Sequence, residues 1–353
     1  FCTAGRQHDM AQAPQDIPPT HALLLAARDR LVAGDVVAMP TETVYGLAAS
    51  IASEQGLRKV FCLKNRPFFD PLIVHVASPQ EALALVRAWP PLVDALTQAF
   101  WPGPLTVVLP KRAQVHPLIT AGLDTVAIRC PAHPLAQRLI RLVGTPLAAP
   151  SANKFGRTSP SCPEHVAQEF AGEDLLIIDG GVCTVGVEST VIEVIQASTG
   201  AESVRILRPG GITAEMLQQA LASWPRPVDM VNINSAASPG HLKQHYMPLI
   251  PLVIISGYET DIGAPLSTTI RHQIARRLTL PANWTACELV LDETPALAAR
   301  ELYSALRRLA TSGASMMYVR ATPERLRHDL WAAIWDRLQR AASVDLRPSS
   351  PAL

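Results

Sequence analysis

Short apolar runs, many closed by a proline, constrain this chain more than any other feature. Such runs are expected as strands at 35–39, 72–76, 105–109, 126–129, 147–149, 175–179, 190–195 and 204–207. Pro40, Pro110 and Pro150 directly follow three of them. Proline cannot donate to a strand ladder, so the ends of such strands are irregular. That pattern predicts a twisted mixed sheet rather than a regular barrel. Helical periodicity fills intervals at 22–32, 79–88, 92–100, 134–143 and 163–170, and another helix carries Leu57, Val60 and Phe61.

From about residue 225 to 248 periodicity fades. The run Asn232-Ile-Asn-Ser-Ala-Ala-Ser-Pro-Gly240 has the small, polar composition of a linker. Beyond it strands at 252–256, 288–292 and 315–319 alternate with helices at 267–278, 295–310 and 323–342. Alternation of this kind predicts a small parallel, Rossmann-like α/β domain. The expected organisation is a larger domain over 16–222, a linker or lid over 223–250 and a smaller domain over 251–345.

Composition removes several functional classes. With 353 residues, 48% hydrophobic and 17% charged, the chain can bury a substantial core. A formal net charge of +1 supplies no global field toward nucleic acid or an anionic membrane. The longest uncharged apolar stretch, 247–258, is too short to span a bilayer and is broken by Pro248 and Pro251. Residues 1–20 lack the basic-then-apolar order of a signal peptide. The six cysteines show no metal-ligand spacing, so reduced thiols in a cytoplasmic protein and no dedicated metal site are expected.

Four short segments carry closely spaced polar residues in apolar or small-residue surroundings: Lys64 and Arg66, Thr125 and Arg129, Ser151 and Asn153, Glu188 and Ser189. A strand sends alternate side chains to one face, so such residues can converge on one cleft. Lys64 falls on the apolar stripe of its own helix, seven residues after Leu57, either snorkelling there or serving an anion site. Arg66 precedes Pro67 and is biased out of helical geometry, so both cations can point one way, with no acidic neighbour evident. Arg129 sits among small residues, as a fork for a carboxylate or as half of a structural ion pair. His75 alone reads more readily as a satisfied, half-buried residue than as a functional one. The loop Pro150-Ser-Ala-Asn-Lys-Phe-Gly-Arg-Thr-Ser-Pro160 could cradle phosphate or simply turn the chain. Phosphate loops of the Gly-x-x-x-x-Gly-Lys kind, Gly-x-Gly-x-x-Gly turns and Gly-x-Ser-x-Gly elbows are all missing.

Taken in order, Pro40-Thr-Glu-Thr-Val-Tyr-Gly-Leu47, Lys64-Asn-Arg-Pro67, Pro71-Leu-Ile-Val-His75, Trp101-Pro-Gly-Pro-Leu-Thr106, Pro150-Ser-Ala-Asn153, Glu188-Ser-Thr190 and Leu207-Arg-Pro-Gly210 resemble the YrdC-like family. The segment 238–248 resembles the linker of that family's two-domain form. The resemblance implies condensation of L-threonine, bicarbonate and ATP into threonylcarbamoyl-AMP and pyrophosphate. Mg²⁺ would be carried mainly by the ATP phosphates. The product would go to proteins that build threonylcarbamoyladenosine in tRNA, with weak tRNA contact possible. Carried over residue by residue, Arg66, Ser151, Ser159, Arg208 and Tyr246 are expected to hold ATP, with Asp70 and Thr125 contributing through backbone groups. Lys64, Arg66, Ser151 and Asn153 form the family's catalytic tetrad. Thr43, His75, Arg129, Ala149 and Ser189 are expected around threonine. Asn65 stands where the family has glycine, Met247 where it has alanine, and the linker at 241–244 is less basic than usual. A pure RNA-binding module and a carbamoyl-transfer domain of hydrogenase-maturation proteins are the competing readings.

Overall fold

A computed structural model of the chain describes residues 19–196, 202–232, 245–257, 262–322 and 329–347. Residues 16–18, 233–244 and 323–328, expected at a domain edge, in the linker and at the start of the last helix, lie outside them.

Ten strands form one mixed sheet. They are β1 (Val37–Met39), β2 (Gly46–Ser50), β3 (Ile73–His75), β4 (Leu105–Pro110), β5 (Thr125–Arg129), β6 (Leu147–Ala148), β7 (Leu176–Ile177), β8 (Thr190–Gln196), β9 (Glu202–Arg208) and β10 (Val228–Asn232). Their spatial order is β10-β9-β8-β4-β5-β3-β6-β2-β1-β7. The pairing of β5 is parallel to β3 and antiparallel to β4, so the sheet is mixed as expected. Leu72, Val74, Val76, Val107, Val126 and Ile128 lie in one buried core on one side of the sheet, together with Leu57, Val60 and Phe61 of helix Glu54–Lys64.

That helix illustrates how local chemistry sets the site's approach. Ser53 caps its start by accepting from the Gly56 amide, and Glu54 sits in the first turn, where the helix dipole favours an anion. It stops at Asn65, whose φ of 51° is left-handed. Asparagine is among the few non-glycine residues that tolerate this region. The departure from the family glycine is therefore accommodated, and the chain still turns sharply toward Arg66.

Four further strands, β11 (Leu252–Ser256), β12 (Ala286–Glu288), β13 (Met316–Ala321) and β14 (Val344–Leu346), make a second sheet in the order β12-β13-β11-β14. Every pairing in it is parallel. Helices Thr268–Arg277, Pro295–Ala310 and Asp329–Ala341 cover it, as the alternation predicts. Separate apolar clusters lie on its two faces. One of them includes Val44, Val187 and Tyr246, so the second domain's core runs on to the edge of the first.

Several expectations change. The stretch from 223 is not all linker, because β10 adds to the first sheet in parallel with β9 and carries that unit to Asn232. The helix expected over 79–88 ends at Leu83, and Val86 bridges to Lys111 instead. The strand expected at 288–292 lies at Ala286–Glu288. Strand β2, buried at every position, offers no alternation to detect.

Candidate active site

Strand register builds the floor of a cleft. His75 is opposite Arg129, and Arg129 is opposite Thr106, so three neighbouring strands place these side chains in one row. The next row, Ile73, Ala127 and Val108, is apolar and belongs to a small buried cluster with Val191 and Leu207. Directly opposing residues project from the same face. Ser189 enters from the start of β8, its hydroxyl 2.7 Å from that of Thr106.

The strand that carries Arg208 then returns beside Ser189. Arg208 donates to the Ser189 carbonyl at 3.0 Å and to its hydroxyl at 3.1 Å. The close approach depends on Gly210, where a Cβ would fall 2.3 Å from the Glu188 carbonyl oxygen. No side chain fits there, which accounts for glycine in Leu207-Arg-Pro-Gly210.

The result is a single cleft that opens to solvent. Thr43, His75, Arg129, Ala149 and Ser189, all expected near threonine, line it. Arg66, Ser151, Arg208 and Tyr246, expected near ATP, line it as well. The guanidinium groups of Arg66 and Arg129 thus share one cavity.

Both arginines have acidic partners. Arg129 donates to the Thr43 hydroxyl at 2.8 Å and ion-pairs with Glu42 at 2.7 Å. Arg66 donates to the Pro71 carbonyl at 2.7 Å and pairs with Asp70 at 2.9 Å. The two readings of Arg129 are therefore compatible: it is half of a buried ion pair and still faces the cavity. The expectation of no acidic neighbour beside Arg66 is corrected by Asp70. Burial lowers Arg66 and Arg208 from the usual arginine value.

Lys64 stands elsewhere. Its ammonium does not line the cleft but donates to the Ser151 carbonyl and, at 2.6 Å, to the Asn153 carbonyl. The Phe155 amide donates back to the Lys64 carbonyl. Lys64 thereby pins the 150–155 loop, and burial, followed by the nearby Arg66 charge, pushes its pKa well down. Asn153 also turns into the loop, donating to the Lys154 and Arg157 carbonyls. These two tetrad members shape the loop that presents Ser151. Asp70, Thr125 and Ser159 likewise do not line the cavity. Thr125 is at the far end of β5 from Arg129, and Ser159 donates to Glu188 at 2.7 Å.

His75 is buried rather than half-buried. Its Nδ1 is buried with no hydrogen-bond partner among the described residues. Burial first, then Arg129, depresses its pKa to about 3, so the ring is neutral. His245 Nδ1 is similarly unpartnered, with a pKa lowered to about 3, mainly by burial. Neutral imidazoles with open nitrogens are available to a ligand.

Thr41, Glu188 and His245 line the cleft without having been singled out as binding residues. Thr41 and Glu188 lie within quoted motifs and His245 within the linker segment 238–248, where tertiary contact places it: its ring lies edge-on to Phe155 at 6.1 Å and its amide donates to the Arg340 carbonyl at 3.2 Å. Among the described residues no group of three or more His, Cys, Asp or Glu side chains is arranged to hold a metal ion. No described helix is long and apolar enough to cross a membrane.

Comparison with known proteins agrees with this geometry. The Sua5–YciO–YrdC family model, described as "Telomere recombination", matches residues 29–210. The model of the threonylcarbamoyl-AMP synthase C-terminal domain matches residues 212–343. A threonylcarbamoyl-AMP synthase of Pyrococcus abyssi is 36% identical over 316 residues, 88% of this chain and 91% of that protein. One from Bacillus subtilis is 44% identical over 225 residues, 63% of this chain and 64% of that protein. The crystal structure of P. abyssi Sua5 complexed with L-threonine superposes with a TM-score of 0.75 at 32% identity, covering 93% of this chain and 97% of that one. Fold and cleft thus define an α/β protein with a YrdC-like first domain. The chain belongs to the two-domain threonylcarbamoyl-AMP synthases of the Sua5–YciO–YrdC family.

Proposed function

We propose that this protein joins L-threonine, bicarbonate and ATP into threonylcarbamoyl-AMP with release of pyrophosphate. The observation that carries this reading is the convergence of Arg66, Arg129 and Arg208 on one cleft beside the neutral ring of His75. Arg129, steadied by Glu42 and Thr43, holds the amino-acid carboxylate with its cavity-facing edge. The His75 nitrogen and the Ser189 hydroxyl meet the amine and side chain. The amine nitrogen attacks the bicarbonate carbon, the bicarbonate hydroxyl leaves as water with a proton from the amine, and a carbamate results. The carbamate oxygen then attacks the α-phosphorus, and Arg66 and Arg208 offset the charge that grows on the phosphates as pyrophosphate leaves. Positioning in a buried cleft contributes much of the acceleration and protects a water-labile carbamate.

The residues present do not form a cage for Mg²⁺: Asp70 is engaged by Arg66, and Glu188 by Arg337 at 2.7 Å. The ion would arrive on the triphosphate oxygens. Segment 245–247 acts as one wall. His245 and Tyr246 line the cleft, and the Met247 amide donates to the Gly156 carbonyl at 2.8 Å. That placement supports closure of the linker over bound ATP. The product passes to tRNA-modifying proteins in the cytoplasm, with at most weak direct tRNA contact.

Pyrophosphate release, with threonine, bicarbonate and ATP omitted in turn, tests the reading. Release should require all three and fall when serine replaces threonine. Equal release without threonine would overturn it.

A further inference from the structure

We propose that Glu188 is a positioning residue through which the second domain sets the geometry of Ser189 and Arg208. The inference rests on the synthase reading and assigns the second domain a part in the same cleft.

Both oxygens of the Glu188 carboxylate accept hydrogen bonds. Its Oε1 accepts from Ser159 at 2.7 Å and from the Tyr303 hydroxyl at 3.0 Å. Its Oε2 accepts from Tyr303 at 2.8 Å and from Arg337 Nε at 2.7 Å. Both oxygens are thus engaged, the single Tyr303 hydroxyl lying between them. Two of its three side-chain donors come from the second domain, on helices Pro295–Ala310 and Asp329–Ala341.

Arg337 reaches further. Fully buried, it donates from Nη2 to the Pro209 carbonyl at 3.0 Å, next to Arg208. One guanidinium thus grips both chain segments that present Ser189 and Arg208. Its Cζ also lies 5.2 Å from the centre of the Tyr246 ring, which stacks on the Tyr303 ring at 5.9 Å. The same two side chains therefore brace the floor and the wall of the cleft.

Backbone packing at the joint is equally close. Gly186, with φ of 78°, leaves no room for a side chain: a Cβ would lie 2.3 Å from the Arg300 Cα. Helix Pro295–Ala310 therefore rests against the strand approach to Glu188. A buried ion pair with satisfied hydrogen bonds is a poor source of net stability but a strict setter of position.

The test uses the full chain in four versions: wild type, Glu188→Gln, Arg337→Met and the double variant. Arg337→Met should raise KM for ATP about tenfold while kcat changes by less than about threefold, the signature of lost positioning. Glu188→Gln should raise the same KM, because it leaves Arg337 paired with Asp336, at 2.6 Å, and no longer ionically tied to the segment that presents Ser189. The double variant should lose less than the sum of the two. Hydrogen exchange at 186–191 and 207–210 should quicken in both single variants while strands β3 and β5 stay protected. Lower thermal stability with unchanged KM values and unchanged exchange would reduce the contact to a structural one and overturn the proposal. Additive losses in the double variant would do the same. If wild type itself shows no threonine-dependent pyrophosphate release, the synthase reading fails, and the exchange data alone decide whether the joint exists.

Discussion

The floor of the cleft and its far wall are made differently. On the floor, His75, Arg129 and Thr106 are aligned by backbone pairing of β3, β5 and β4, and their spacing follows from strand register alone. The wall depends on side chains that meet over long chain separations: Arg337 is 149 residues from Glu188, and Tyr303 is 115. A floor set by ladders changes only when a side chain is removed. A wall set by packing yields to anything that loosens the second domain. In the proposed reaction the amino acid is held by the stiffer part, and the more adjustable part lies beside it.

The largest expected effect breaks the floor. Arg129→Leu removes the carboxylate fork, and loss of a buried charged contact of this kind costs binding about 4 kcal/mol. Steady-state kinetics should show kcat/KM for threonine falling about a thousandfold, by the usual 1.4 kcal/mol per decade. A drop of less than tenfold would place threonine elsewhere.

Acid separates the two regions next. The sign follows from groups held below their unfolded values. His75 and His245 are neutral when folded, with pKa about 3, but take up protons near 6.5 when unfolded. Stability is therefore full above pH 6.5 and declines as pH falls toward 3, by about 2 kcal/mol per histidine between 6.5 and 5. Burial alone would raise the Glu188 pKa, yet Arg337 and Arg208 hold it at about 2, so its contribution is lost only between about 4.5 and 2. Urea unfolding across pH 3–8 should show the histidine decline first. His75→Gln should remove part of it, and a flat profile down to pH 5 would contradict both neutral rings.

The smallest effect concerns the loop between floor and wall. Lys64→Met leaves the Ser151 and Asn153 carbonyls short of a donor, while also removing a buried ammonium. The net loss should be about 2 kcal/mol by chemical denaturation. KM for ATP should rise more than KM for threonine, since Ser151 shifts while Arg129 stays in place.

The sequence made the floor legible because period-two alternation is local. Thr125, Ala127 and Arg129 on one face and Val126 and Ile128 on the other is what β5 shows, with the latter pair in the core. The identity of the second sheet was legible for the same reason, since strands and helices alternate along 252–346. Roles within the cleft were less so. Lys64 and Arg66, two residues apart, diverge because the left-handed turn at Asn65 sends one under the loop and the other into the cavity. Asp70, four residues after Arg66, was within local reach, whereas no local pattern reveals that Arg129 meets Glu42 or that Arg337 meets Glu188. Strand β10 was missed because pairing with β9, rather than its own composition, defines it.

The row across β3, β5 and β4 also restricts how such a protein can change. Sliding any of these strands by one residue would swing His75 or Arg129 into the hydrophobic interior and bring an aliphatic group out in its place. Recognition and folding are thus written in the same letters there. Variation that retunes substrate preference has its freedom in the loops that line the cleft, where a new side chain can be tried without forfeiting the scaffold.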